Sequence, residues 1–172
     1  MNDNNILFIS FITRITFSLI ILSLNIPLIY KIISLIILDF IDCPLFIPNV
    51  FKNNNICNYK YYQYIDKTLD ILFYYILYFQ IFNSNIFSKF EKNLLLFLLI
   101  LRTIGQLLFF FTYNRKFLFY FPQLFLEFSL SILICNSLNL NNYIKYFILF
   151  IIFFIKLYFI EYNYHFFTPL HI

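Results

Sequence analysis

Long runs of Ile, Leu, Phe and Tyr, each closed by a short polar cluster, divide this chain into six apolar segments. A helix that crosses a bilayer needs about 17–25 predominantly apolar residues. Segment one runs over 6–24 and is broken by Asn25-Ile26-Pro27. Segment two covers 28–42. Segment three, 66–82, stops at Asn83-Ser84-Asn85. Segment four, 93–113, is closed by Asn114-Arg115-Lys116, and segment five, 117–138, by the asparagine-rich turn 139–142. Segment six is 143–161. Residues 43–65 break the pattern with Pro44, Pro48, Lys52, the run Asn53-Asn54-Asn55, Lys60 and clustered tyrosines. They read as a polar loop or a helix lying at the interface. The pattern predicts an all-α integral membrane bundle of six transmembrane helices forming one domain over 1–172, a multi-pass protein in a membrane that the sequence does not specify.

Composition supports that reading. Of 172 residues, 62% are hydrophobic and 12% charged, against roughly 25% charged in soluble domains. Mean hydropathy is +0.81. Aromatic residues make up 24%, there is no Ala and no Trp, and Gly105 is the only glycine. This skew matches an AT-rich coding bias, so the Phe and Tyr abundance carries little functional information. With no Ala and a single Gly, the usual small-residue helix contacts are removed, and bulky side chains must interlock instead. Cys43, Cys57 and Cys135 have no metal or redox spacing. Cys43 and Cys57 share a loop and are close enough in sequence to pair, although reduced thiols are the simpler expectation. The start, Met-Asn-Asp-Asn-Asn, lacks a basic n-region and leads into a first membrane helix rather than a cleaved signal. A dispersed net charge of +4 gives no nucleic-acid footprint.

Six spans place both termini on one side, together with the 43–65 loop and the Asn114–Lys116 turn. That side collects Lys52, Lys60, Lys67, Arg115, Lys116 and Arg14, and the other collects Lys31, Lys89, Lys92 and Lys145. The bias is slight and favours a cytosolic assignment for the first side. Four of the five aspartates then reach that interface: Asp39 with Asp42 at the end of segment two, and Asp66 with Asp70 at the start of segment three. Spacings of i, i+3 and i, i+4 put each pair on one helical face. A carboxylate at a hydrocarbon boundary is costly and calls for a partner. Four such oxygen donors suit a hard divalent cation, Mg²⁺ or Mn²⁺. Capping explains Asp66 at a helix start, but Asp39 and Asp42 stand at a C-terminal end, where the macrodipole is unfavourable to them.

These residues resemble the signature of the CDP-alcohol phosphatidyltransferase family, D-x-x-D-G-x-x-A-R followed after a spacer by G-x-x-x-D-x-x-x-D. Leu38-Asp39-Phe40-Ile41-Asp42 is similar to the first half, and Tyr62-Gln63-Tyr64-Ile65-Asp66-Lys67-Thr68-Leu69-Asp70 to the second. Arg14 matches an arginine common near the start of the family's first helix. The resemblance implies a six-helix fold, metal ligation by Asp39, Asp42, Asp66 and Asp70, and Asp70 as the base that takes the proton of an attacking alcohol. It implies transfer of a phosphatidyl or related phospho-alcohol group from a CDP-alcohol donor in phospholipid synthesis. Membrane lipid and a CDP-linked donor would be its partners, and a homodimer is compatible with it. The chain departs from the signature where the family has Gly, Ala-Arg and Gly: here stand Cys43, Phe46-Ile47 and Tyr62, and the spacer is longer. The metal half is kept and the nucleotide half altered. An enzyme with a changed donor, a weak enzyme and a catalytically inactive lipid- or metal-binding protein with the same fold are the alternatives.

Other groups are candidates for the phosphate charge that Ala-Arg would have supplied. Arg102 lies mid-span and would either fork onto a phosphate or pair with Glu127. Lys67, Arg115 and Lys60 follow, each with a competing role as a solvated or topology-setting cation. His165 and His171 sit in a tail with Pro169 and read as solvated. No G-x-S-x-G, P-loop, H-E-x-x-H or Cys-His pattern occurs. A small transporter fits less well, because its carboxylates would stand at the bilayer midplane rather than at an interface.

Overall fold

The computed structural model describes residues 3–41, 60–159 and 162. Among these the chain is entirely helical: α1 Asp3–Ser23, α2 Leu28–Ile41, α3 Lys60–Asn83, α4 Lys89–Thr112, α5 Lys116–Tyr120, α6 Phe125–Ser137 and α7 Asn142–Ile155. The chain separates into two compact units, the first ending at Phe73 and the second beginning at Tyr74, within α3.

In the first unit, α1 ends where Asn25-Ile26-Pro27 interrupts it, and Lys31 donates to the Leu22 carbonyl at 2.9 Å. That cation closes the C-terminal end of α1, where the exposed carbonyls favour it. Phe11, Arg14, Ser18 and Leu22 are buried, the i, i+3, i+4 pattern of one helical face. The buried face of α3 follows the same rule with Tyr62, Asp66, Asp70 and Phe73. Tyr62 stacks on Phe11 with ring centroids 5.5 Å apart.

In the second unit, α4 starts with a capping box. Ser88 accepts from the Glu91 amide, and Glu91 returns a bond to the Ser88 amide. Glu91 is buried and also accepts from Lys145 Nζ at 2.6 Å and Asn136 Nδ2 at 3.1 Å. One carboxylate thus ties α4 to α6 and α7. Tyr113 ends α4 in the left-handed region at φ 59°. The core is Leu95, Leu99, Phe109, Leu118, Phe125, Ile132 and Leu149 with their neighbours.

Three helical stretches are long and apolar enough to cross a membrane: Lys89–Thr112 (α4), Lys116–Ser137 (α5 with α6) and Asn142–Phe159 (α7 and the turn after it). The last is only 11% buried within the protein. Phe147 and Phe150 are 63% and 59% exposed, so this face requires an apolar surrounding. The expectation of six spans is met in coarse form only. On α1 the apolar part is the shorter stretch Phe11–Ser23, because Arg14 and the polar start divide it. The 14 residues of α2 reach ~21 Å at 1.5 Å per residue, less than a hydrocarbon core of about 30 Å. On α3, two aspartates and two lysines occupy the first three turns.

Several helix boundaries differ from the hydropathy reading, among them the starts of α1 and α4 at Asp3 and Lys89 and the end of α7 at Ile155, and two differences change the picture. Helix α3 begins at Lys60, so the segment read as a polar loop or an interfacial helix up to residue 65 already contains the first turn of α3. Tyrosines obscured that turn by lowering mean hydropathy without opposing the helix. The segment expected over 117–138 is broken between α5 and α6 at Phe121-Pro122-Gln123-Leu124. Pro122 has no amide hydrogen and cannot continue the ladder. Asp42, Cys43, Phe46, Ile47, Cys57, His165 and His171 lie outside the described residues. Cys135 is a buried free thiol.

Candidate functional site

The aspartates gather within the first unit. Asp39 comes from the last turn of α2, and Asp66 and Asp70 come from one face of α3. One carboxylate oxygen from each lies within 4.8 Å of the others. Asp70 and Asp66 have side chains 1% and 8% exposed, and Asp39, at the rim, 32%. The i, i+4 spacing on α3 makes the Asp66–Asp70 pairing a local matter. The long-range condition is that α2 delivers Asp39 to the same place.

Sequence reasoning gave Arg14 no part in this cluster, yet it stands in the middle of it. Its Nη2 donates to Asp39 Oδ1 at 3.1 Å and also to Asp70 Oδ1, while Nη1 bonds Asp66 Oδ1. Lys67 adds a second cation, with Nζ 2.6 Å from Asp66 Oδ2 and 3.3 Å from Asp70 Oδ2. The signal was available: a lone cation inside an apolar run must find counter-ions, and the nearest carboxylates by topology are these. Among the described residues, three carboxylates meet two cations, leaving one formal negative charge. Removing one partner from such a cluster costs about 3–5 kcal/mol, because it strands a buried charge.

One oxygen from each of the three carboxylates lies close enough to the others for a hard cation, with bonds of about 2.0–2.6 Å, to reach all three, and Arg14 already occupies one oxygen of each. The donor set is chemically right for Mg²⁺ or Mn²⁺, on condition that the guanidinium withdraws.

The other candidates have separate positions. Lys67 belongs to the cluster. Lys60 opens α3, and its side chain is outside what is described. Arg115 is buried at the start of α5. Arg102 is 2% exposed on α4. Its Nη1 donates to the carbonyls of Leu118 and Phe121, each at 2.9 Å. The expected alternative, an ion pair between Arg102 and Glu127, is not formed; Glu127 bonds Lys156 instead. Arg102 has a different task, set by Pro122. In a continuous helix the amide of residue 122 would donate to the carbonyl of residue 118. Proline has no such hydrogen, and Arg102 supplies the missing donor.

Comparison with protein-family models, with curated proteins and with solved structures gives no match for this chain.

Proposed function

We propose that this chain is a multi-pass membrane protein whose Asp39–Asp66–Asp70 cluster is the centre of a metal-dependent transferase similar to CDP-alcohol phosphatidyltransferases. Mg²⁺ or Mn²⁺ is the proposed ion, with Asp42 as the fourth ligand. The observation that carries the reading is the convergence of carboxylates from α2 and α3 that the signature-like spacing anticipated. The proposed membrane arrangement has six segments, of which α1, α2 and α3 are kept short or polar by the site they carry.

A bound divalent ion would neutralise donor phosphate charge and polarise phosphorus. Asp70 would take the proton of the attacking alcohol; its burial among carboxylates, with Lys67 Nζ at 3.3 Å, supports that reading. Asp66 and Asp39 would hold charge and orientation. Tyr62, stacked on Phe11, fills the place of the signature glycine, so the donor is proposed to differ from CDP-diacylglycerol.

A second reading is favoured by Arg14 and Lys67: the carboxylates are already paired, as a structural cluster in a catalytically inactive protein would be. The deciding assay is transfer of labelled lipid from a panel of CDP-alcohols to a panel of alcohols with Mn²⁺ present. Turnover in the wild type that disappears in Asp70→Asn supports the transferase. Turnover that survives in Asp70→Asn refutes its role as base. Absence of turnover with every donor, in folded protein, leaves the inactive reading.

A further inference from the structure

Arg102 is a buried guanidinium without a carboxylate partner among the described residues. The described acids of the same unit, Glu91 and Glu127, pair with Lys145 and Lys156. All of its hydrogen bonds among the described residues come from Nη1 and go to neutral carbonyls. Nε is buried and has no partner. The edge formed by Nε and Nη2 is therefore open. It is the edge that matches two oxygens of a phosphate or carboxylate in a bidentate fork.

One helical turn further, Gln106 is 0% exposed. Its amide nitrogen and its amide oxygen both lack a partner. The spacing puts Arg102 and Gln106 on the same face of α4. An amide buried with neither atom bonded is costly, and so is a guanidinium in an apolar span with no counter-charge. Both defects fall on one face, one turn apart, next to the break at Phe121–Leu124. Each would be removed by the same kind of ligand.

We infer that Arg102 and Gln106 form a buried oxyanion site, taking a phosphate-type group through the Nε–Nη2 edge of the guanidinium and the Gln106 amide. The charge comes from Arg102, and Gln106 contributes a neutral donor and selects against ligands without acceptor oxygens. Phe121 packs on Gly105, which lies between the two residues in sequence, with Cγ 2.9 Å from where a Cβ would stand. Arg102 is 13 residues past Lys89, roughly 20 Å along the axis, well below the level of headgroups in an undeformed bilayer. A free inorganic oxyanion and a lipid headgroup drawn inward share the same chemistry. The inference uses residues of the second unit alone and stands whether or not the aspartate cluster turns over.

The test is thermal unfolding of the full chain in detergent against millimolar inorganic phosphate, with chloride at equal ionic strength as the reference. Phosphate is expected to raise Tm in the wild type, because a ligand that binds only the folded state stabilises it by mass action. Gln106→Leu is expected to fold with a Tm in chloride at or above wild type, since it removes an unpaired amide. It should lose most of the phosphate shift. Titration of the folded proteins by calorimetry gives the same contrast as at least a tenfold weaker Kd. In phosphatidylcholine nanodiscs, a free-oxyanion site keeps the phosphate shift. A headgroup site instead responds to added phosphatidylglycerol and ignores phosphate. Two results would overturn the site: a wild-type Tm insensitive to both phosphate and phosphatidylglycerol, which assigns the orphaned groups to water, or a shift of equal size in Gln106→Leu.

Discussion

Replacement of a missing proline amide by Arg102 can be measured as a coupling energy. Arg102→Met keeps an apolar stem of similar length and removes the donor. The carbonyls of Leu118 and Phe121, each accepting at 2.9 Å, are then left bare. A buried acceptor that loses its donor costs about 1–3 kcal/mol, so about 2–6 kcal/mol is lost from the two bonds. An opposing effect has similar size: the mutation also removes a buried charge whose desolvation is worth several kcal/mol. The single mutant therefore has no secure sign, and the decisive quantity is its dependence on residue 122.

Pro122→Ala restores an amide hydrogen and frees Phe121, held beside the proline at φ −121° and ψ 73°, to return to helical dihedrals, which brings that amide to its helical acceptor, the Leu118 carbonyl. The preceding bond of that ladder, Phe121 N–H to the Phe117 carbonyl, is already present at 3.1 Å. In the Pro122→Ala background Arg102→Met should strand one carbonyl rather than two. The charge contribution is the same in both backgrounds and cancels in a double-mutant cycle. The predicted coupling is about 1–3 kcal/mol, the worth of one stranded acceptor. Equilibrium unfolding in mixed micelles with added SDS, without phosphate, gives the four free energies. Additivity within about 0.5 kcal/mol would refute the claim that Arg102 substitutes for the amide.

Three further outcomes are expected. Lys145→Met should destabilise by about 3–5 kcal/mol, because it strands Glu91 in a buried position; the Lys145→Met/Glu91→Gln pair should recover part of the loss in the same unfolding assay, and no recovery would mean that packing rather than charge holds α7 to α4. Gly105→Ala should cost about 1–3 kcal/mol, since a Cβ there meets the Phe121 Cβ as well as its ring and overpacking forces a shift; an unchanged unfolding curve would show that the backbone at Phe121 gives way freely. Arg14→Met should lower Tm in metal-free buffer and respond to Mn²⁺ at lower concentration than wild type, with no Mn²⁺ response in Arg14→Met/Asp66→Asn; equal Mn²⁺ dependence in wild type and Arg14→Met would separate the guanidinium from the metal.

The helical class, most helix ends and the gathering of Asp39 with Asp66 and Asp70 were legible in the chain. Apolar runs reveal helices in any setting, and Asn-rich or Pro-containing clusters stop them. Hydropathy does not reveal how a polar group inside a run is satisfied. Pro122 was visible in segment five, but the run on either side of it is so apolar that the span looked continuous. Glu127 was matched to Arg102 on opposite charge alone, whereas Lys156, just past the end of α7, reaches it and Arg102 answers to carbonyls that have no signature in sequence. Tyr62 was legible as a departure from a glycine. Its stacking on Phe11 was not, because that contact depends on how α1 packs.

Arg14 connects the two readings of the aspartate cluster. It bonds one oxygen of each of Asp39, Asp66 and Asp70, so a divalent ion at those oxygens and the guanidinium exclude one another. Among the described residues, the cluster with Arg14 in place carries one formal negative charge. With a divalent ion in its place, and Lys67 retained, the same three carboxylates are neutralised in full. The exchange costs the protein an arginine expelled from a buried position, and it would proceed only if the ion, or the ion together with an anionic donor that pairs with Arg14, returns more than that. A donor phosphate is such an anion. On the proposed transferase reading, metal and donor would therefore bind cooperatively, because the donor gives the displaced Arg14 a new counter-charge. On the inactive reading nothing compensates the displaced arginine, and the cluster stays closed at millimolar metal.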